Sequence, residues 1–412
     1  MCLSNLMKKF DLSNLMILFF LFLSSFAHQF DFCNSEYEAD PIPEGYNLIH
    51  TTIIFKHGHH APVDKIPEAE VTWNCTSDNW LFPGGNALND ELQFSKKFRI
   101  KPISYQSFLL GNCRAGELLE TGMKQMSKLA EFLKKTYSNI IPDHFKKRAL
   151  SFRSTYTNRC LTCIQILAHH LFPGDEPIDV FVANEELESL VPNSYLCPSL
   201  GALYDEQTNK NSSFSKHLKQ YDDQLSLIKN ESNFSAVPHW VRMAEYLVTT
   251  KCANISYPGA FNDKFLNESA DLLMTFFNHS INNDNGKKYA SGILMSEIYL
   301  GMRDYLSGKS DTQFVLICGH TLTFTSLLSA LNKTLTWQSY GAYMAFDLLQ
   351  KNDELLIRTV LNGKTIANFM FSDFENIVMN LRPTEEECKI KYPFMEKDKK
   401  SLATKFLAMS FS

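Results

Sequence analysis

Lys56-His57-Gly58-His59-His60-Ala61-Pro62 follows directly on the apolar, β-branched run T-T-I-I-F at residues 51–55. Arg153 closes a second apolar run, 149–152, and His320 stands just past a third, 313–318, after Gly319. Short runs of this kind read as buried strands, and open α/β sheets carry their chemistry at strand ends. Brought side by side, His57, Arg153 and His320 make two imidazoles and a guanidinium. Such a set suits a phosphate monoester, because the guanidinium fork matches dianionic oxygens and a protonated imidazole adds a donor. A neutral imidazole also attacks phosphorus, dividing one hard displacement into two easier ones. Three histidines around Gly58 invite zinc as well. His59 and His60 would point to opposite faces of an extended chain, however, so neither metal nor cofactor is expected.

The elements that must position these residues alternate between strand and helix. After the first strand comes an irregular stretch, 63–115, rich in Pro, Gly and Asn. Apolar spacing then predicts helices over 121–137 and 158–172, either side of the strand 149–152. A strand at 179–183, a helix at 292–306, a strand at 313–318 and a helix at 323–331 follow. A hairpin of 342–349 and 354–361 closes the pattern. This order predicts an α/β three-layer sandwich with a central, mostly parallel sheet. Residues 200–290 differ in character, being crowded with Asn and Ser, and are expected to form an inserted helical cap. The core is then 28–199 together with 291–392, followed by a tail at 393–412.

Lys8 and Lys9, the apolar run 15–23 and the small-x-small site Ser25-Phe26-Ala27 read as a signal peptide over 1–27. Eight N-x-S/T sequons follow, at Asn74, Asn211, Asn230, Asn233, Asn254, Asn267, Asn278 and Asn332. Of the ten cysteines, nine remain after Cys2 leaves with the signal, so at least one thiol stays free. Cys318, inside an apolar strand, is the chosen free thiol. Cys160-x-x-Cys163 lies in a helical pattern without redox context. The chain should be exported, secreted or held in the lysosomal lumen, with no membrane span in the mature protein. Net charge is −5, which does not suit a nucleic-acid partner. A homodimer is compatible with the sequence.

At its chemical residues the chain resembles the histidine acid phosphatase family. The family's R-H-G-x-R-x-P stands here as residues 56–62, its G-x-L-x-x-x-G as 116–122, and its R-S-T-x-x-x-R as 153–159. A late strand of small-x-x-aromatic-acid-Leu type stands at 341–348. The resemblance implies the phosphoglycerate-mutase-like histidine phosphatase fold, with His57 as nucleophile. Lys56, Arg153, His320 and His60 would then hold the phosphoryl oxygens. Its departures are as informative. Lys56 and His60 replace two arginines, and Thr321 replaces the acid that protonates the leaving oxygen. A threonine hydroxyl is too weak for that role, and general acid catalysis is worth about 10²–10⁴-fold. Glu185, Glu186 and Glu188 could supply the acid, but read better as solvated loop carboxylates. His60, with an ordinary histidine pKa near 6.5, would be mostly charged around pH 5 and partly stand in for the lost arginine. Two functions therefore remain open. One is a weakened acid phosphomonoesterase acting through phosphohistidine. The other is an inactive pseudophosphatase that binds a phosphate or other small anionic ligand, or a receptor through its glycosylated cap.

Overall fold

A computed structural model describes residues 32–64, 71–75, 109–142, 146–174, 176–223, 226 and 239–388. The first strand, β1 (Asn47–Lys56), is buried from His50 onward. That is why its sequence runs through Thr, Ile and Phe without alternating. Two short strands, β2 (Thr72–Trp73) and β3 (Leu110–Gly111), pair with each other. The main sheet has seven strands in the order β5-β4-β6-β1-β7-β8-β9. Its members after β1 are β4 (Leu150–Ser154), β5 (Val180–Phe181), β6 (Phe314–Gly319), β7 (Tyr343–Lys351), β8 (Glu354–Leu361) and β9 (Lys364–Met370). Strands β5, β4, β6 and β1 are mutually parallel, and β7, β8 and β9 add an antiparallel meander. By direction, β1, β4, β5, β6 and β8 run one way, and β7 and β9 the other.

Helices cover both faces, giving the three layers expected. Helices α1 (Glu120–Thr136) and α2 (Asn158–Leu171) pack on Ile53, Phe55, Phe152, Leu316 and Tyr343. A helical stretch follows: α3 (Pro198–Thr208), α4 (Ser213–Leu218), α5 (His239–Cys252), α6 (Asp263–Ile281) and α7 (Asp284–Leu306). Helix α7 lies against the second sheet face through Leu294 and Ile298. Beside it sit α8 (Thr321–Ala330) and α9 (Phe371–Leu381), and the short α10 (Glu385–Cys388) ends the described chain.

Strands β2, β3 and β9 and helices α9 and α10 lay outside the sequence expectation, and the bounds of other elements shifted. Helix α7 starts at Asp284 rather than near 292, because Asn283 caps it by accepting from the Gly286 N–H at 2.9 Å. Strand β9 follows a two-residue Asn362-Gly363 turn in which both residues have positive φ, 50° and 95°. Asn-Gly favours that turn. The strand expected over 179–183 shrinks to Val180–Phe181.

One buried ion pair organises the middle of the sheet. Arg358 grips Asp347 through Nε at 3.1 Å and Nη2 at 2.8 Å, while Thr51 Oγ1 donates to the other carboxylate oxygen at 2.7 Å. The remaining guanidinium nitrogen donates to the Asp40 and Pro41 carbonyls, so this charged group is satisfied on every side.

Disulfides join Cys33 to Cys252, Cys75 to Cys113 and Cys197 to Cys388. Cys318 is a buried free thiol, and so are Cys160 and Cys163. Asn74, Asn211, Asn254, Asn278 and Asn332 are exposed, whereas Asn267 is half-buried with its side-chain oxygen enclosed. Asn230, Asn233, the segment 1–27 and the tail 393–412 lie outside the described residues. Among the described residues no helix is long and apolar enough to cross a membrane.

Candidate active site

Register brings the strand ends together. Lys56 pairs with Gly319 across β1 and β6, and Ser154 pairs with Cys318 across β4 and β6. His57, Thr155 and His320 therefore leave three neighbouring parallel strands side by side. The His57 ring centroid lies 4.8 Å from that of His60 and 5.1 Å from that of His320. Gly58 is required here. A Cβ on it would come within 2.5 Å of the Gly122 carbonyl, and one on Gly122 within 2.2 Å of the His59 carbonyl. The motif loop and the start of α1 cross backbone to backbone, which only glycines permit.

Hydrogen bonds fix the imidazole tautomers. His57 Nδ1 lies 3.0 Å from the Gly58 carbonyl oxygen. A carbonyl only accepts, so Nδ1 carries the proton and Nε2 keeps its lone pair. Burial holds the His57 pKa well below the ordinary histidine value, and the nearby Arg159 charge adds to this. His60 Nδ1 donates to the Ala61 carbonyl at 2.7 Å, and its Nε2 faces Glu245 Oε1 at 3.3 Å. That second contact needs one proton, on either the carboxyl or the imidazole. His320 Nε2 lies 2.9 Å from Thr155 Oγ1 and 3.6 Å from Cys160 Sγ.

His59 is not a rim residue. It is buried, donates from Nε2 to the Thr249 carbonyl at 3.0 Å, and accepts from Thr121 Oγ1 at 2.6 Å on Nδ1. It ties the motif loop to α5. Lys56 is buried too. Its ammonium donates to the Gln338 carbonyl at 2.7 Å and lies over the Tyr340 ring at 4.8 Å. Burial lowers its pKa from 10.5 to about 7.

Arg153 takes a different place from the one expected. In β4, Phe152 faces α1 and α2, so Arg153 faces α7. Its guanidinium bonds Glu297, Glu188 Oε1 at 3.1 Å and Ser189 Oγ at 2.8 Å. The guanidinium that acts on the histidines is Arg159, in the first turn of α2 and only 5% exposed. After burial it is the largest influence holding down both His57 and His60. Its Nε meets no protein acceptor among the described residues. Both arginines stand in the motif R-S-T-x-x-x-R, and strand parity decides between them.

The acids also sort differently. Glu185 and Glu186 are exposed, as expected, but Glu188 is buried and bound to Arg153 and to the Leu190 N–H at 2.8 Å. Burial raises its pKa. Glu245, which no motif signals, lies on α5 with 28% of its side chain exposed. Burial raises its pKa to about 7, partly opposed by Arg159 and Lys56 and reinforced by Asp64. Thr321 opens α8 and accepts a hydrogen bond from Thr325 on its carbonyl.

In the free site His60 is therefore not the cation expected around pH 5, because burial and Arg159 hold its pKa well down. A bound dianion would raise the pKa of each neighbour, so binding takes up protons and must strengthen as pH falls. Sulfate, which does not titrate in this range, is the clean probe. Its Kd is expected to tighten by about tenfold per pH unit for each proton taken up as pH falls from 8. Calorimetry at pH 8, 7, 6 and 5 reads this directly, and a flat profile would contradict the electrostatics described.

The family model described as histidine phosphatase superfamily (branch 2) matches residues 47–362. The chain is 23% identical over 271 residues to putative acid phosphatase 5 of Caenorhabditis elegans, covering 61% of this chain and 63% of that protein. It is 22% identical over 302 residues to human prostatic acid phosphatase, covering 68% of each. Its fold matches a Klebsiella sp. ASR1 phytase with a TM-score of 0.54 at 11% identity, covering 86% of this chain and all of that one.

Proposed function

Because this chain belongs to the histidine phosphatase superfamily, branch 2, we propose that it hydrolyses phosphate monoesters at acid pH through a phosphohistidine on His57. The observation that carries this reading is the His57 tautomer. Nδ1 is occupied by the Gly58 carbonyl, which leaves the Nε2 lone pair available on a ring flanked by those of His60 and His320. Arg159 supplies permanent charge for the phosphoryl oxygens, with Lys56 and His320 as further donors and His60 joining them only if a bound dianion favours its protonation. Attack by Nε2 forms the N–P bond as the ester P–O bond breaks, and water then releases inorganic phosphate.

Thr321 in place of the family acid supports a weakened rate on esters with poor leaving groups. It also favours the pseudophosphatase alternative, as do Lys56 and His60 in place of two family arginines. Residues 200–290 act in this reading as a cap, since Thr249 and Glu245 on α5 reach His59 and His60. Export fits the N-terminal sequence, the three disulfides and the exposed sequons. The test is hydrolysis of 4-nitrophenyl phosphate and of glycerol 2-phosphate between pH 4 and 7. Turnover at acid pH is expected, and silence on both esters would replace the enzyme by a binding protein.

A further inference from the structure

We propose that Glu245 is the proton donor to the leaving group, taking over from helix α5 the role that Thr321 cannot fill. The inference rests on the phosphatase reading above. Geometry carries it. His60 Nδ1 is committed to the Ala61 carbonyl, so the 3.3 Å contact between His60 Nε2 and Glu245 Oε1 must hold a proton on one side or the other. His60 in turn stands beside His57, with centroids 4.8 Å apart. The shared proton thus sits one imidazole away from the nucleophile.

Glu188 is the rival carboxyl, and its position argues against it. Its Oε1 is taken by Arg153 and the Leu190 N–H, and its Oε2, though without a hydrogen-bond partner among the described residues, is enclosed, only 7% of the side chain being exposed. Glu245 keeps 28% of its side chain exposed. The groups facing Glu245 are His60, Arg159, Asp64, Lys56, Tyr340 and the Val63 N–H. Burial dominates among them and favours the protonated acid at acid pH.

The steps balance. His57 Nε2 bonds phosphorus as the ester bond breaks, and the ester oxygen takes the Glu245 proton and leaves as an alcohol. The resulting carboxylate then accepts a proton from the water that attacks the phosphohistidine. The N–P bond breaks, inorganic phosphate leaves, and Glu245 is again protonated.

The test exploits leaving-group chemistry. A nitrophenolate leaves without a proton, whereas an alkoxide does not. Glu245→Gln should therefore lower kcat on glycerol 2-phosphate by about 10²-fold or more, yet lower it less than about tenfold on 4-nitrophenyl phosphate. It should also make the fall in kcat/KM on the alkyl ester less steep as pH rises through about 7, leaving the part that follows loss of the Lys56 charge. Retained nitrophenyl activity shows that the variant folds. If both activities vanish, Glu245→Asp keeps an acid and should recover the alkyl ester. Its failure to do so, while sulfate still binds, overturns the inference. Equal effects on the two esters, or a leaving-group split produced by Glu188→Gln instead, also overturn it while the phosphatase reading stands. A wild type silent on both esters overturns both.

Discussion

His57→Ala is expected to abolish hydrolysis of 4-nitrophenyl phosphate and of glycerol 2-phosphate alike, lowering kcat by roughly 10⁴-fold or more. The reason lies in how the three clustered imidazoles spend their nitrogens. His60 Nε2 faces a carboxyl, and His320 Nε2 meets a hydroxyl and a thiol. His57 alone has its Nδ1 tied to a carbonyl and no protein partner described at Nε2. No neighbour can therefore replace it as nucleophile. Rapid quench of the wild type with ³²P-labelled substrate should trap a label that is lost in acid and stable in alkali, as a phosphohistidine is. The variant should carry none. His57→Asn is the companion, because its amide still donates to Gly58 but cannot attack phosphorus. If either variant binds sulfate yet still takes the label, the nucleophile lies elsewhere and the phosphohistidine assignment fails.

Much of this site was legible because strand ends write themselves into sequence. A β-branched run stopping at Lys56-His57 and an apolar run stopping at Gly319-His320 say where two histidines leave the sheet. Parallel register then brings them together. What the residues could not say was which way a side chain turns, or what a distant helix contributes. Arg153 and Arg159 stand in one motif, and only the pleat of β4 sends Arg153 to the α7 face while the first turn of α2 places Arg159 among the histidines. Glu245 had no signal at all. It lies within an unremarkable stretch of α5, about 190 residues from the loop it serves, and only tertiary packing couples them. The burial of Lys56, His59 and Glu188 was likewise invisible, since a charged or polar residue in a motif does not announce its solvation. The Asn362-Gly363 turn was different. Its hairpin signal was present in the residues, although strand β9 was not expected from them.

The two arginines give the sharpest test of that distinction. Arg159→Gln is expected to lower kcat/KM by about 10²–10³-fold, the cost of one positioned donor to the transferring phosphoryl group. The loss should be larger at pH 7.5 than at pH 5. Arg159 keeps its charge at every pH, whereas burial lowers the Lys56 pKa to about 7, so acid restores a second cation that alkali removes. Arg153→Gln should behave otherwise, because its fork is already occupied by Glu188 and Glu297 and is 21% exposed. Catalysis should fall less than about tenfold. Stability should drop by about 1 kcal/mol or more, because the partly exposed Glu297 and the buried Glu188 lose their partner. Steady-state kinetics at both pH values, beside urea unfolding of each variant, separates the two residues. A larger kinetic loss from Arg153→Gln than from Arg159→Gln would return the phosphate-binding role to the strand end. The ion pairs of Arg153 would then have to open when substrate binds.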